Sequence, residues 1–463
     1  MQTPAGASRR RGGRWAVALL LKTATVVAAA QQTGAPRAEP EVQVSAWSLP
    51  ASGGLSLIEA VRAAAATHPS VHNALAQWRE AGEGRAAAEA GYYPQLRVGI
   101  NSEARSEAIN GYDSRRVHQA VLSLTQTVYD FGRTNAEVEQ ADAQIARAHA
   151  QVLMTVDDVA KQAAQAWLQV LHQRRLVELA RDQVEGVEHL AGLARERESK
   201  GASARSDVVQ ALARVQSSQA HEQTQQTLAA RWRQTLGTLT GRPTADVDGS
   251  VPAGLVGVCN SATSEDDVPA AVLAARAGRV VAEQGQKLAN LLDRPSLMLE
   301  ASVARGLDNA SRRGGEDVDT GVMLSLTAPL YQGGRNRARQ RAALHALQAA
   351  DAAIARAELE ASKAIEEARV QYDGHVQRQR VLAERIDSTR ETRDLYQEQY
   401  LQLGTRSLVD LLNAEQEYHS ARSALVDNEY EMQQLALECL YHQGRLRRFF
   451  AIDENLIFTQ VNP

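Results

Sequence analysis

Aromatic side chains are scarce in this chain, and that scarcity limits the kind of core it can build. Only 4% of its 463 residues are Phe, Trp or Tyr, while alanine dominates the apolar residues. A core for two or three ordinary globular domains would need more bulky side chains. We therefore expect elongated elements that pack against each other through small side chains.

Cysteine is nearly absent as well. The two cysteines, Cys259 and Cys439, lie far apart and outside any CxxC or Cys/His ligand spacing. A metal or redox site is therefore not expected. The sequence leaves open whether the two thiols form one disulfide in an oxidising compartment or stay unpaired.

The patterns of an enzyme or of a nucleic-acid-binding protein are also missing. The formal net charge is -4, and the eleven histidines form neither an HExxH motif nor a triad-like cluster. The glycines form no phosphate-binding loop, and Glu366 with Glu367 is typical of a solvated helix face. We expect no enzymatic activity, no catalytic residues, no cofactor, no metal and no nucleic-acid partner.

Proline is missing from residues 95–242 and 330–462. Because proline inside a helix costs about 3 kcal/mol, its absence permits very long helices. In both stretches apolar residues recur at steps of three and four, which predicts helices with small residues along a coiled-coil-type seam. The seam positions are Ala141, Ile145, Ala148, Val152, Val156, Val159, Ala163, Ala166 and Val170, then Leu347, Ala350, Ile354, Ala357, Ala361, Ala364 and Ala368.

Four glycines are predicted to bound these helices. Gly132 and Gly201 are 69 residues apart, and Gly334 and Gly404 are 70 apart. At 1.5 Å per residue each helix would span roughly 100 Å. Return helices over about 206–240 and 407–446 would complete two antiparallel hairpins that turn at Gly201 and Gly404.

A stretch that occurs twice precedes the two long helices. Leu122–Arg133 reads LSLTQTVYDFGR and Leu324–Arg335 reads LSLTAPLYQGGR. Such a duplication predicts two similar halves, which we place at residues 55–267 and 268–463.

The N-terminus resembles a secretory signal peptide. Four arginines (Arg9, Arg10, Arg11 and Arg14) precede an apolar run from Trp15 to Leu21 and small residues up to Ala30. This order predicts a cleaved signal over residues 1–30. The following residues, 31–54, are rich in Pro, Gly and Ser and are interpreted as a linker.

Four segments of about ten residues alternate between apolar and polar positions. They are centred on Val98, Leu122, Leu299 and Leu324, and tyrosines such as Tyr129 and Tyr331 stand at one end. Length, period and aromatic rim are typical of transmembrane β-strands, although two soluble β-hairpins would give a similar pattern. Open sheet edges are not tolerated in hydrocarbon, so a chain with four strands would have to oligomerise in order to span a membrane. The polar loops, about 102–116 and 305–317, would then be extracellular.

Taken in order, these features resemble the TolC family of outer-membrane efflux and secretion ducts. The resemblance includes the AGYYPQL entry to the first strand, the TQTVYDFGR and TAPLYQGGR exits, the glycine-tipped hairpins and the LVDLLNAEQEYHSAR stretch at 408–422. It implies a mainly α-helical homotrimer in the outer membrane of a Gram-negative bacterium. The helical hairpins would form an α-barrel tunnel in the periplasm, continuous with a twelve-stranded β-barrel to which each protomer gives four strands.

The resemblance also implies a gate at the periplasmic hairpin tips. By position, Arg406 would pair with Asp207 and Tyr400 would hydrogen-bond to Ser206. Asp410 would line the constriction, whereas Asn413 stands where the family often has a second acidic residue.

The same resemblance assigns architectural roles to the strand exits. Tyr129 and Tyr331 would mark the membrane boundary, and Gly132 and Gly334 would let each strand change direction into a helix.

Family members are passive ducts that work with a periplasmic adaptor and an inner-membrane transporter. The YDFGR and YQGGR exits resemble the type I secretion branch, which favours an ABC transporter and an exported protein, such as a toxin, as cargo. The alternatives are a duct for small molecules such as drugs and, less favoured, a periplasmic coiled-coil interaction protein without a pore.

Overall fold

The computed structural model of the chain describes residues 54–104, 116–242, 247–261, 267–307 and 318–459. The predicted signal peptide, nearly all of the linker and most of the two strand-connecting loops lie outside the described residues.

The two halves follow a similar order of elements. In the first half two helices precede a β-hairpin and a long helical hairpin, and in the second half a single helix takes their place. The first half consists of α1 (Leu57–Thr67), α2 (Pro69–Glu89), β1 (Gln95–Ala104), β2 (Arg116–Tyr129), α3 (Arg133–Ser199) and α4 (Arg205–Thr240). The second half consists of α5 (Ala270–Leu291), β3 (Ser296–Gly306), β4 (Val318–Thr327), α6 (Arg335–Glu398) and α7 (Leu408–His442), followed by the short α8 (Leu446–Phe449) and α9 (Glu454–Thr459).

The long helices begin and end where the glycines predict. Helix α3 has 67 residues and α6 has 64, so each is about 100 Å long. Gly132 and Gly334 precede them in the left-handed region, at φ 87° and 82°. Helix α6 continues into one turn of π-helix, Gln399–Leu403, before the turn at Gly404. The predicted rods and their return helices are confirmed.

The four strands form one antiparallel sheet in the order β1-β2-β3-β4. Apolar residues face each other across all four strands in rows such as Leu96, Leu124, Ala301 and Val322. The neighbouring row, Arg97, Ser123, Ser302 and Gly321, lies on the opposite, more polar face. The strands are confirmed, and β1 and β4 are open edges in the described part of the single chain.

Helix α3 forms the centre of the helical layer. It packs against α2, α4, α5 and α7, and alanines such as Ala160 and Ala163 are fully buried along it. Trp167 is also fully buried, and its Nε1 donates a hydrogen bond to the Leu55 carbonyl at 2.7 Å. The small-residue seam of α3 therefore packs as predicted.

Cys259 and Cys439 form a disulfide. It joins the short turn Val258–Asn260 to α7 across a sequence separation of 180 residues. The pairing answers the question that the sequence left open, and it is typical of proteins that fold in an oxidising compartment.

In the described part of the chain, no helix combines the length and the apolar character that a membrane-spanning helix requires.

Candidate gate at the tips of the helical hairpins

The tips of the two helical hairpins lie against each other in one apolar cluster. Helix α3, α4, the π-turn and α7 all contribute to it, so the cluster joins both hairpins. Its members are Val187, Leu190, Ala191, Ala194, Ala211, Val215, Tyr400, Leu408, Leu411 and Leu412. Residues more than 200 positions apart in sequence are thus held together where the turns are made.

Arg197 is the main polar link between the two tips. It lies in the last turn of α3, and its Nη1 donates to the carbonyl of Tyr400 at 3.1 Å. Its guanidinium carbon also lies 4.7 Å from the centre of the Tyr400 ring, a cation–π contact. A cation in the last turn of a helix suits the helix dipole, but nothing local in the sequence indicates a partner 203 residues away.

The π-turn presents this carbonyl to Arg197. In the π-helix Gln399–Leu403 each backbone hydrogen bond spans five residues, one more than in an α-helix. Single turns of π-helix often occur at functional sites. Tyr400 itself is only 4% exposed, and its hydroxyl finds no hydrogen-bond partner among the described residues.

The residues predicted to latch the hairpins together stay within their own hairpins in the single chain. Arg406 Nε donates to Gln399 Oε1 at 3.1 Å, and its guanidinium stacks over Tyr396. Asp207 accepts a hydrogen bond from Ser203 Oγ at 2.6 Å and a longer one from Ser206 Oγ at 3.4 Å.

Neither expected contact forms within the described residues of one chain: Arg406 does not pair with Asp207, and Ser206 does not bond to Tyr400. The gate roles of these residues stay predictions.

Asp410 and Asn413 lie at the start of α7, where both already have partners. The Asp410 carboxylate accepts hydrogen bonds from the backbone N–H and the hydroxyl of Ser407, and Ser407 Oγ caps the Asp410 N–H in return. This capping box begins the return helix. Asn413 accepts from Arg214 of α4 at 3.3 Å, which gives a second polar contact between the hairpins.

Further from the tips, a buried group of charged residues lies within the second hairpin and packs against α3 of the first. Glu415 and His419 of α7 are both buried and 3.0 Å apart, and Arg393 Nε lies 3.8 Å from the Glu415 carboxylate. Gly186 of α3 leaves room for this carboxylate, because a Cβ at residue 186 would clash with Glu415 Oε1. Sequence reasoning did not identify Arg197, Arg214 or this group.

At the other end of the rods, Asp130 organises the first strand exit. Its carboxylate accepts hydrogen bonds from the backbone N–H groups of Gly132, Arg133 and Thr134 and from the Thr134 hydroxyl. Although partial burial acts to raise it, these hydrogen bonds lower the pKa of Asp130 below its ordinary value. Tyr129 ends β2, Tyr331 follows β4 by four residues, and both are exposed; their role at the membrane boundary stays a prediction.

The chain matches the family model described as outer membrane efflux protein over residues 60–242 and 270–441. These segments cover well over half of its length. A comparison with curated protein sequences finds no match.

Solved structures share the fold. The outer membrane protein VceC of Vibrio cholerae is 20% identical, with a TM-score of 0.70 over 84% of this chain and 96% of that one. The CmeC outer membrane channel of Campylobacter jejuni is 14% identical, with a TM-score of 0.70 over 84% and 85%. The open state of the MtrE outer membrane channel of Neisseria gonorrhoeae is 18% identical, with a TM-score of 0.66 over 86% and 91%.

Proposed function

The chain belongs to the outer membrane efflux protein family, and on that premise we propose that three copies of it form a passive exit duct in the outer membrane. One observation carries the proposal: the four-stranded sheet has a mainly apolar face and two open edges, β1 and β4. Hydrocarbon does not tolerate open edges, so strands of neighbouring copies must pair with them. Three copies would supply twelve strands and close the sheet into a barrel.

The helical layer supports the same assembly. Helix α6 exposes apolar side chains such as Leu359, Val370 and Val381, and of its described residues only Asn336, Ala368, Tyr372 and Leu382 are buried. Neighbouring copies would cover this face and complete a tunnel roughly 100 Å long.

We propose that the hairpin tips are the gate of this duct. Within each chain Arg197 holds the two tips together through the Tyr400 carbonyl and ring. Between chains, Arg406 and Asp207 would form the exposed ion pair, and Asp410 would line the constriction. Exposed pairs contribute only about 0–1 kcal/mol each, which suits contacts that must open.

For the cargo we propose an exported protein, delivered by an ABC-type inner-membrane transporter through a periplasmic adaptor. The YDFGR and YQGGR strand exits, which resemble the type I secretion branch, favour this cargo. The second candidate is small-molecule efflux, which the family description favours.

One deletion experiment separates the two cargo classes. We expect the culture supernatant of a deletion strain to lack one large protein, and a plasmid copy of the gene to restore it, while accumulation of a fluorescent efflux dye stays unchanged. An unchanged supernatant together with increased dye accumulation would contradict protein export and favour efflux.

A further inference from the structure

Four arginines occupy alternate positions at the start of α6: Arg335, Arg337, Arg339 and Arg341, called here the arginine belt. All four are exposed, and none forms an ion pair with a described residue. The first carboxylate along α6 is Asp351, and it is bound to Arg279 at 2.8 Å. The belt therefore has positive charge that the described part of the chain does not neutralise.

The start of α3, the equivalent helix, is built differently. Asp130 caps it, Arg133 donates to the Arg294 carbonyl, and the acidic residues Glu137 and Glu139 follow within two turns. Cations near a helix N-terminus are disfavoured by the helix dipole. Arg335 and Arg337, in the first turn of α6, therefore lie where the helix dipole disfavours a cation.

The belt presents two arginines on each flank of the helix. Asn336 and Gln340 lie on the side of α6 that faces the rest of its own chain, because both donate hydrogen bonds to the Asp293 carboxylate, at 2.5 and 3.0 Å. At about 100° per residue, the pair at 335 and 339 lies on one flank and the pair at 337 and 341 on the other. Whichever flank faces the outside of the tunnel, it presents two guanidinium groups one turn apart.

The belt begins just beyond the end of the sheet's apolar face. Strand β4 ends at Thr327, Leu330 is 95% exposed and Tyr331 is 87% exposed, and Arg335 follows four residues later. Exposed tyrosines at the end of an apolar face are typical of the membrane–water interface, where phospholipid headgroups lie.

We propose that the arginine belt binds the phosphate of anionic phospholipids in the inner leaflet of the outer membrane. This inference rests on the proposed function, which places the sheet in that membrane. Guanidinium groups suit the ligand because they bind phosphate oxygens in a bidentate manner.

A neighbouring copy offers less to the belt than a lipid does. The layer runs α2, α3, α5, α6, so the next chain would place α2 beside α6. Near its end α2 has Arg85, which is already bound to Glu89 and to Asp142 of α3. Glu89, the acidic residue at the end of α2 beside the belt, is thus matched within its own chain, whereas the exposed Glu83 lies six residues further from the sheet.

The test uses full-length trimers inserted in phosphatidylcholine nanodiscs and titrated with phosphatidylglycerol. Two double variants, Arg335→Gln with Arg339→Gln and Arg337→Gln with Arg341→Gln, are compared with the matched control Arg378→Gln with Arg385→Gln. The control arginines are exposed on the same helix and far from the sheet. We expect at least one belt variant to bind phosphatidylglycerol about tenfold or more weakly, and the control to bind like the wild type.

Several results would overturn the proposal. In the first, the wild type binds phosphatidylglycerol no better than phosphatidylcholine, and in the second, both belt variants bind phosphatidylglycerol as tightly as the wild type does. The third such result is that the wild type binds inorganic phosphate as tightly as phosphatidylglycerol. If the belt variants no longer form trimers in pure phosphatidylcholine, the arginines contact a neighbouring copy and not a lipid. A wild-type chain that does not insert as a trimer would contradict the proposed function, not this lipid site.

Discussion

Asp130 and Gln332 occupy equivalent positions in the repeated strand exit, yet only Asp130 caps the helix that follows. Both exits share one backbone hydrogen bond, from Arg133 to the Asp130 carbonyl and from Arg335 to the Gln332 carbonyl. At the first exit the Asp130 carboxylate accepts three backbone N–H groups in addition. Phe131 takes a left-handed conformation at φ 58°, where the second copy has Gly333 at φ 62°. The first exit therefore combines a strained residue with a strong cap, a difference that the shared motif conceals.

Replacing the cap tests this asymmetry. Loss of a helix cap costs about 0.5–2 kcal/mol, so we expect Asp130→Ala to lower the thermal unfolding midpoint by about 1–4 °C. Gln332→Ala is the matched control and should leave the midpoint unchanged. Equal effects of the two substitutions would show that the cap has no special role.

The pH dependence of this effect has a defined sign. The pKa of Asp130 is lowered from 3.8 in the folded chain. The contribution of its carboxylate to the stability of the fold is therefore complete above pH 3.8 and is lost as the pH falls through the lowered pKa. The difference between the wild type and Asp130→Ala should therefore be constant near neutral pH.

Arg197 provides the test of the gate. Hydrogen bonds to charged groups contribute about 1.5–3 kcal/mol, so we expect Arg197→Ala to shift the balance of closed and open channels about tenfold or more toward open. The measurement is single-channel conductance and open probability in planar bilayers. Arg195→Ala is the control, because Arg195 is exposed on the same turn and makes none of these contacts.

The same conductance measurements test the contacts that are proposed between chains. If Arg406 and Asp207 link neighbouring copies, Arg406→Ala and Asp207→Ala should raise the conductance as well. Unchanged conductance in both would contradict that link, and unchanged conductance in Arg197→Ala would contradict a gating role for the Arg197–Tyr400 contact.

At the scale of elements, the two long helices differ in burial although their sequence patterns are alike. Proline absence and three-four spacing predict the lengths of α3 and α6, because these depend on local backbone preference. Burial depends on which elements pack around each helix. Helix α3 is covered on several sides within its own chain, while α6 is the outer helix of the layer and is left mostly exposed.

The C-terminal segment contacts α3 at a buried acid–base pair, Asp157 and Arg447, that the sequence does not reveal. Asp157 is 2% exposed, and Arg447 Nε lies 3.1 Å from its Oδ1. Burial raises the pKa of Asp157 from 3.8 to about 7, in spite of the nearby guanidinium. The ionised form of this carboxyl group is therefore disfavoured in the folded chain.

This raised pKa predicts a pH-dependent stability. The folded chain binds the proton more tightly than the unfolded chain, so the contribution of Asp157 to stability falls as the pH rises from about 4 to about 7. We expect the free energy of unfolding of Asp157→Asn to change less between about pH 4 and pH 7 than that of the wild type, by on the order of a few kcal/mol. Asp142→Asn removes an exposed carboxylate from the same helix and should keep the wild-type dependence. Identical pH profiles of the wild type and Asp157→Asn would contradict the assignment.

At the scale of the whole molecule, the sequence predicts the architecture better than the contacts of the gate. The duplicated exits, the glycines at the turns and the alternating strands each have a local cause, and all are confirmed. The link from Arg197 to Tyr400 and the space that Gly186 leaves for Glu415 depend on residues more than 200 positions apart, which no local pattern reports. The open edges of the sheet and of the helical layer then require further copies of the chain.

Conductance of the purified protein in planar bilayers, without adaptor, transporter or nucleotide, tests the central claim most directly. We predict that detergent-extracted, heat-resistant trimers give uniform current steps that are linear in voltage. A chain found wholly in the soluble periplasmic fraction, or trimers of the wild type and of Arg197→Ala that both give no current steps, would contradict the account of a passive outer-membrane duct.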